Sequence, residues 1–159
     1  MKTVINTTRE YAEMLYALHT QGTMNKVGAT LHARILRTGN EFTEVDVVQS
    51  RKLKKEFHCK VGWCYYNAQK IIIQYPMCYR YYEGWVSHII PLEHGWLVDR
   101  NTGLVVDPTI TRVKKKGDYF GISIPKKLIN ETWNEEQMAR QLIWDHLLHE
   151  VNRRKNGNQ

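Results

Sequence analysis

Apolar residues Tyr11, Met14, Leu15 and Leu18 recur at three- and four-residue intervals behind Thr7 and Thr8. Either threonine can cap, and Arg9 and Glu10 fall in the first turn, so the pattern predicts a helix that ends near Gly22. The period then shortens. Leu31, Ala33 and Ile35 alternate within Ala29 to Leu36, and Phe42, Val45 and Val47 do so within Glu41 to Val48. With Thr38-Gly39-Asn40 between them, the two segments read as a hairpin. Helical spacing returns in Gly62 to Ile73, where Ala68, Ile71 and Ile72 fall at i, i+3 and i+4, and Pro76 stops that helix.

From Met77 the chain becomes rich in aromatic and β-branched residues. Segments Tyr79 to Ile90, His94 to Asp99 and Gly103 to Asp107 predict an antiparallel meander, with Asn101-Thr102-Gly103 as turn chemistry. Tyr119 to Ile124 suits one more short strand. The last predicted element is an amphipathic helix over about 133–153, with Met138, Leu142, Trp144, Leu147, Leu148 and Val151 in register behind Thr132 or Asn130. Helix, strands, helix, sheet and helix in that order make an α+β fold. With no repeat and no linker-like interior stretch, the reading is a single domain over 1–159.

A length of 159 residues with 42% hydrophobic residues is enough for one continuous core. No run approaches the roughly 18 apolar residues a bilayer crossing needs. The first ten residues also lack an apolar secretory stretch, so an intracellular, cytoplasmic location is expected. Three cysteines, Cys59, Cys64 and Cys78, cannot all pair within one chain, and reduced thiols are expected. Together with His58 they form no CxxC or HxxxH ligand spacing, so neither a metal nor an organic cofactor is expected. The net charge of +7 gathers in two basic stretches, 51–60 and 112–127. These suit contact with nucleic acid or an acidic protein, or equally a solvated surface that keeps the chain soluble.

One cysteine differs in its setting. Cys64 follows Gly62-Trp63 and opens the predicted helix, near free backbone N–H groups and the positive end of the helix dipole, a placement that favours thiolate. His94 and Asp107 lie on two strands of the meander, 13 positions apart. If the intervening turn holds an even number of residues, Asp99 faces Leu104 and Trp96 faces Asp107. His94 and Asp107 are then diagonal neighbours about 7–8 Å apart on one face, within reach of an imidazole Nδ1–carboxylate contact. A three-residue loop with a glycine bulge at Gly103 would reverse that parity.

The ordered set Cys64-x-x-Asn67-Ala68, Tyr82-x-Gly84, His94-x-Trp96 and Val106-Asp107-Pro108-Thr109, followed by Tyr119-Phe120-Gly121, resembles the transglutaminase-like branch of the papain-like thiol hydrolases. It is similar to small bacterial and phage proteins with this pattern, over about residues 59–121. The resemblance implies a helix-opening cysteine packed on an antiparallel sheet. It further implies Cys64 as nucleophile, His94 as general base and acid, and Asp107 as the group that holds the imidazole. Its chemistry would be a cysteine hydrolase or acyltransferase acting on a protein or peptide-like amide. The backbone N–H of Cys64 could supply one oxyanion donor. Trp63, Asn67, Tyr82, Glu83 and Trp96 are read as lining of the substrate site, with Glu83 an ionisable group among aromatics. Each residue alone has a plainer reading: a small buried thiol, a strand histidine, a turn aspartate before proline, core aromatics. The competing function is a non-catalytic binding module that uses the basic and aromatic surface to contact nucleic acid or protein, its affinity falling steeply with salt.

Overall fold

The computed structural model of the chain describes residues 7–21, 26–87, 90–110, 112–133 and 139–156. The elements in order are α1 (Thr8–Thr20), α2 (Lys26–Thr38), β1 (Asn40–Glu44), α3 (Val47–Glu56) and α4 (Cys64–Gln74). They continue as β2 (Tyr79–Ser87), β3 (Pro91–Asp99), β4 (Val105–Val106), β5 (Lys116–Ser123), α5 (Lys126–Thr132) and α6 (Ile143–Asn156). The fold is α+β, with six helices and one antiparallel sheet among the described residues.

Thr7 caps α1: its hydroxyl accepts from Glu10 N, and the Glu10 carboxylate accepts from Thr7 N, both at 3.1 Å. Thr8 instead donates its N–H and hydroxyl to Asp118, at 2.8 and 2.7 Å, and ties the helix to β5. The hairpin expected next is not formed. Ala29 to Leu36 lies inside helix α2, whose buried residues Leu31 and Ile35 are four apart, a spacing common to alternation and to a helical face. Ala, Leu and Arg outnumber β-branched residues there, and helix propensity decides. The second arm keeps only β1, because Asp46 Oδ1 accepts from Gln49 N at 2.8 Å and starts α3. The basic stretch 51–60 is therefore mostly the solvated face of a helix whose Leu53 is buried, followed by a turn that buries Phe57.

Helix α4 and the meander follow the predicted pattern, with Ala68, Ile71 and Ile72 buried. Strand β2 pairs with β3 in unbroken register from Tyr79↔Asp99 to Ser87↔Pro91. Toward the C-terminus, α5 was not anticipated. Asn130 and Thr132, the expected caps, lie inside it, and the terminal helix begins at Ile143 rather than near Trp133. Met138, placed in that helix by its period, lies outside the described residues.

The sheet order is β1-β5-β2-β3-β4. It curls until its two edge strands meet: Val45, just past β1, bridges Val105 of β4, and Asp46 N donates to Val105 O at 2.8 Å. Alternation sorts the strand residues into two cores. Tyr81, Trp85, Leu97, Val106, Phe120 and Ile122 face outward under the helices. Tyr82, Val86, Trp96, Val98, Val105 and Tyr119 fill the inside of the curl. At Gly121 a Cβ would run into the Glu83 carbonyl of β2 and stand 2.7 Å from Trp96 Cη2, so glycine there makes room for the neighbouring backbone and for the indole.

Candidate active site

The turn between β3 and β4 decides whether His94 and Asp107 meet. Asp99 Oδ1 accepts from Asn101 N and Thr102 N at 2.8 and 2.9 Å, Gly103 takes a φ of +72°, and Asp99 N donates to Leu104 O at 2.9 Å. The loop is thus 100–103, an even number, and the ladder runs Val98↔Val105 and Leu97↔Val106. By alternation His94, Trp96, Val105 and Asp107 point into the curl. His94 Nε2 lies 2.7 Å from Asp107 Oδ2. The nitrogen on the carboxylate is Nε2, not the expected Nδ1, which leaves Nδ1 as the ring atom available to a second partner.

Asp107 is sealed, with none of its side chain exposed. Its Oδ2 also accepts from Tyr119 Oη at 3.0 Å, and Oδ1 accepts from Thr109 N and Ile110 N at 3.0 and 3.3 Å. Its own N–H donates to Ser50 Oγ at 2.9 Å, so α3 braces it from behind. Burial pushes the carboxyl upward, yet the charge and hydrogen bond of His94, with those from Thr109 and Tyr119, hold it below its ordinary range. For His94, burial opposes the charged ring, but attraction and hydrogen bonding to Asp107 prevail and raise it to about 10. The Cys64 sulfur adds a smaller rise. Burial above all, then the neighbouring Asp107 charge, raises the Tyr119 phenol, which therefore stays a neutral donor.

Cys64 is the first residue of α4, entered through Gly62 at φ +82°, and Trp63 at the cap position makes no side-chain hydrogen bond to the first turn. The helix start is pinned by Asn67. Its Nδ2 donates to Lys60 O at 2.7 Å and to Thr109 Oγ1 at 2.9 Å, while its Oδ1 accepts from Lys60 N at 3.3 Å. A chain of contacts therefore runs Asn67–Thr109–Asp107–His94 from the helix to the hairpin. Gly95 sets the approach from the other side, since a Cβ there would stand 2.9 Å from Tyr65 Cδ1 and 2.8 Å from Tyr81 Oη. Along β3, strand β4 reaches only Leu97 and Val98, so among the described residues no strand pairs with the His94 stretch on that edge.

Cys64 and His94 line one cleft of about 630 Å³, whose other walls include Val61, Val86, Leu92, Glu93, Ile110 and Arg112. None of the five residues read as lining is among them. Trp63 is turned outward, edge-on to Tyr66 and beneath Lys60 Nζ. Asn67 is buried in its positioning contacts. Tyr82 and Trp96 stack on each other inside the curl, and the Trp96 Nε1 meets no acceptor among the described residues. Glu83 is on the other face altogether, because it pairs with Gly95 while Gly84 pairs with His94. Its fully buried carboxylate accepts from Leu142 N and Ile143 N, both at 2.7 Å, and from Tyr81 Oη at 2.6 Å, anchoring the start of α6. Burial raises that carboxyl to about 7 against the lowering effect of these donors.

Ser50, Thr109 and Tyr119 were not singled out as site residues. Thr109 and Tyr119 carried a signal, since each belongs to a quoted motif, whereas Ser50 carried none because its role depends on where α3 docks. Of the other thiols, Cys59 is half-buried with its Sγ 3.8 Å from Leu53 O, and burial pushes it to about 11, while Cys78 is exposed. His58 is exposed, at φ 51°. Among the described residues no group of three or more His, Cys, Asp or Glu is arranged to hold a metal ion. No helix among them is long and apolar enough to cross a membrane. No protein-family model, curated protein or solved structure matches the chain, so the site is read from its own geometry.

Proposed function

We propose that the protein is a cysteine-dependent hydrolase or acyltransferase that acts on an amide or related acyl bond through Cys64, His94 and Asp107. The observation that carries this reading is the 2.7 Å contact of His94 Nε2 with the sealed Asp107 carboxylate, made behind the cleft that His94 and Cys64 line together. With Nε2–H held by Asp107 and its proton affinity raised, the ring carries the thiol's proton on Nδ1 as an imidazolium beside the sulfur. The sulfur attacks the carbonyl carbon as thiolate, and the carbonyl electron pair moves onto oxygen, facing the backbone N–H of Cys64. Collapse breaks the C–N bond as Nδ1–H protonates the leaving nitrogen. Water or an amine then attacks the thioester, giving its proton to Nδ1, and sulfur leaves as the thiolate, which restores the ion pair. Asp107 keeps the imidazolium stable in a nearly dry site and does not itself take the proton.

The test is alkylation by chloroacetamide, followed by mass spectrometry of the Cys64 peptide, together with turnover of a glutamine-peptide library. Cys64 is expected to react at least tenfold faster than Cys59, and Cys64→Ala to lose all turnover. A Cys64 no more reactive than Cys59, or a Cys64→Ala protein that keeps turnover, refutes the proposal.

A further inference from the structure

The cleft does not end at Cys64. Val86, Ile110 and Arg112 are shared with a second depression of about 410 Å³, walled further by Val45, Val113, Lys114, Lys116 and Tyr119. The two form one trough from the thiol to the segment that leads into β5. Its floor is apolar and its rim carries three cations, Arg112, Lys114 and Lys116, all exposed. None of them forms an ion pair with a described residue. Glu44 stands opposite Lys116 in the β1–β5 register yet does not close a pair with it. Glu93 borders the thiol end, but by alternation its side chain turns to the face opposite His94, and Arg112 lines that end as well. The trough therefore favours acids along its length beyond the thiol.

We infer that this trough binds an acidic, extended protein segment, with the reacting amide over Cys64 and the carboxylates over Arg112, Lys114 and Lys116. The inference rests on the thiol-enzyme reading for the reaction, but not for the binding. A peptide suits the trough better than nucleic acid. Single strands gain affinity by stacking bases on open aromatic faces, and the aromatic here, Tyr119, is 2% exposed with its hydroxyl bound to Asp107. Aliphatic walls between cations instead match a chain of alternating acidic and apolar side chains.

The experiment measures fluorescence anisotropy with labelled dodecapeptides that carry a central Gln flanked by Glu, by Ser and Gly, or by Lys, and with a dodecamer of thymidylate. The Glu peptide is expected to bind about tenfold tighter than the neutral one at low salt, from three exposed charge contacts of modest size each. Arg112→Ala/Lys114→Ala/Lys116→Ala should bring the two within twofold. The single reversal Lys114→Glu should weaken the Glu peptide and strengthen the Lys peptide. Equal binding of charged and neutral peptides, a preference that survives the triple variant, or tighter binding of the oligonucleotide overturns the inference. Chloroacetamide labelling in parallel separates the two ideas: a reactive thiol without charge preference removes only the trough, and an acidic preference with an inert thiol removes only the enzyme.

Discussion

Replacing Asp107 by Asn tests the centre of the site with a nearly isosteric change. The carboxylate accepts four hydrogen bonds, from His94, Tyr119, Thr109 and Ile110, and an amide has one acceptor oxygen to offer them. If that oxygen keeps the two backbone donors, the new NH2 points at His94 Nε2 and the Tyr119 hydroxyl, and the ring must present the opposite tautomer. Holding the imidazole at about 10 against an ordinary 6.5 corresponds to about 5 kcal/mol between its charged and neutral forms. In the variant the burial penalty remains and the countercharge is gone, so the His94 pKa falls below 6.5. Breaking a buried pair on one side costs about 3–5 kcal/mol of stability, on the order of 10 °C in Tm for a chain of this size. The pH dependence has a sign. His94, raised in the fold, stabilises fully below 6.5, and that contribution is lost as pH climbs toward 10. Asp107, lowered in the fold, stabilises above 3.8, and that contribution is lost as pH falls below it. Thermal melts from pH 4 to 10 should therefore show a plateau between about 4 and 6.5 and a decline above it. In Asp107→Asn the plateau should be lower and the alkaline decline absent, with Cys64 alkylation at pH 7.5 reduced at least tenfold. Melting curves and alkylation profiles that superimpose on those of the unaltered protein would show that the pair does neither job.

Three further outcomes follow from the same contacts. Glu83→Gln should lower stability by about 1–3 kcal/mol, because its oxygen can keep Leu142 N and Ile143 N only by turning the NH2 onto the Tyr81 hydroxyl and the second Leu142 N–H contact; hydrogen exchange should quicken in α6 first, and an unchanged melt would remove its anchoring role. Asn67→Ala should lose about 1–3 kcal/mol and slow Cys64 alkylation several-fold, since Lys60 and Thr109 lose their link to the helix start; alkylation at the original rate would show that Asn67 does not position the thiol. Cys78→Ser should remove one exposed alkylation site and leave turnover unchanged, whereas a loss of turnover would shift the chemistry away from Cys64.

Much of this protein was legible one segment at a time. Ala68, Ile71 and Ile72 announce a helical face, Pro76 its end, and the run from Tyr79 its strands, because each signal is carried by neighbours a few residues apart. The misreading of Ala29 to Leu36 has the same origin. Leu31 and Ile35 satisfy both periods, and the helix-forming residues around them select the helix. The order Cys64, His94, Asp107 was visible, as was the arithmetic that lets the last two share a face.

What the chain's order determined alone is the first helix, the helix headed by the cysteine, the strands of the meander and a hairpin whose loop, if even, aligns His94 with Asp107. Only the folded structure decided that Nε2 rather than Nδ1 meets the carboxylate, that Ser50 and Tyr119 secure it, that Glu83 anchors a helix on the opposite face, and that aliphatic residues with Arg112 wall the cleft. Local signals depend on spacing within one segment, whereas these choices depend on strand register, sheet curl and the docking of α3 and α4, contacts between residues dozens of positions apart.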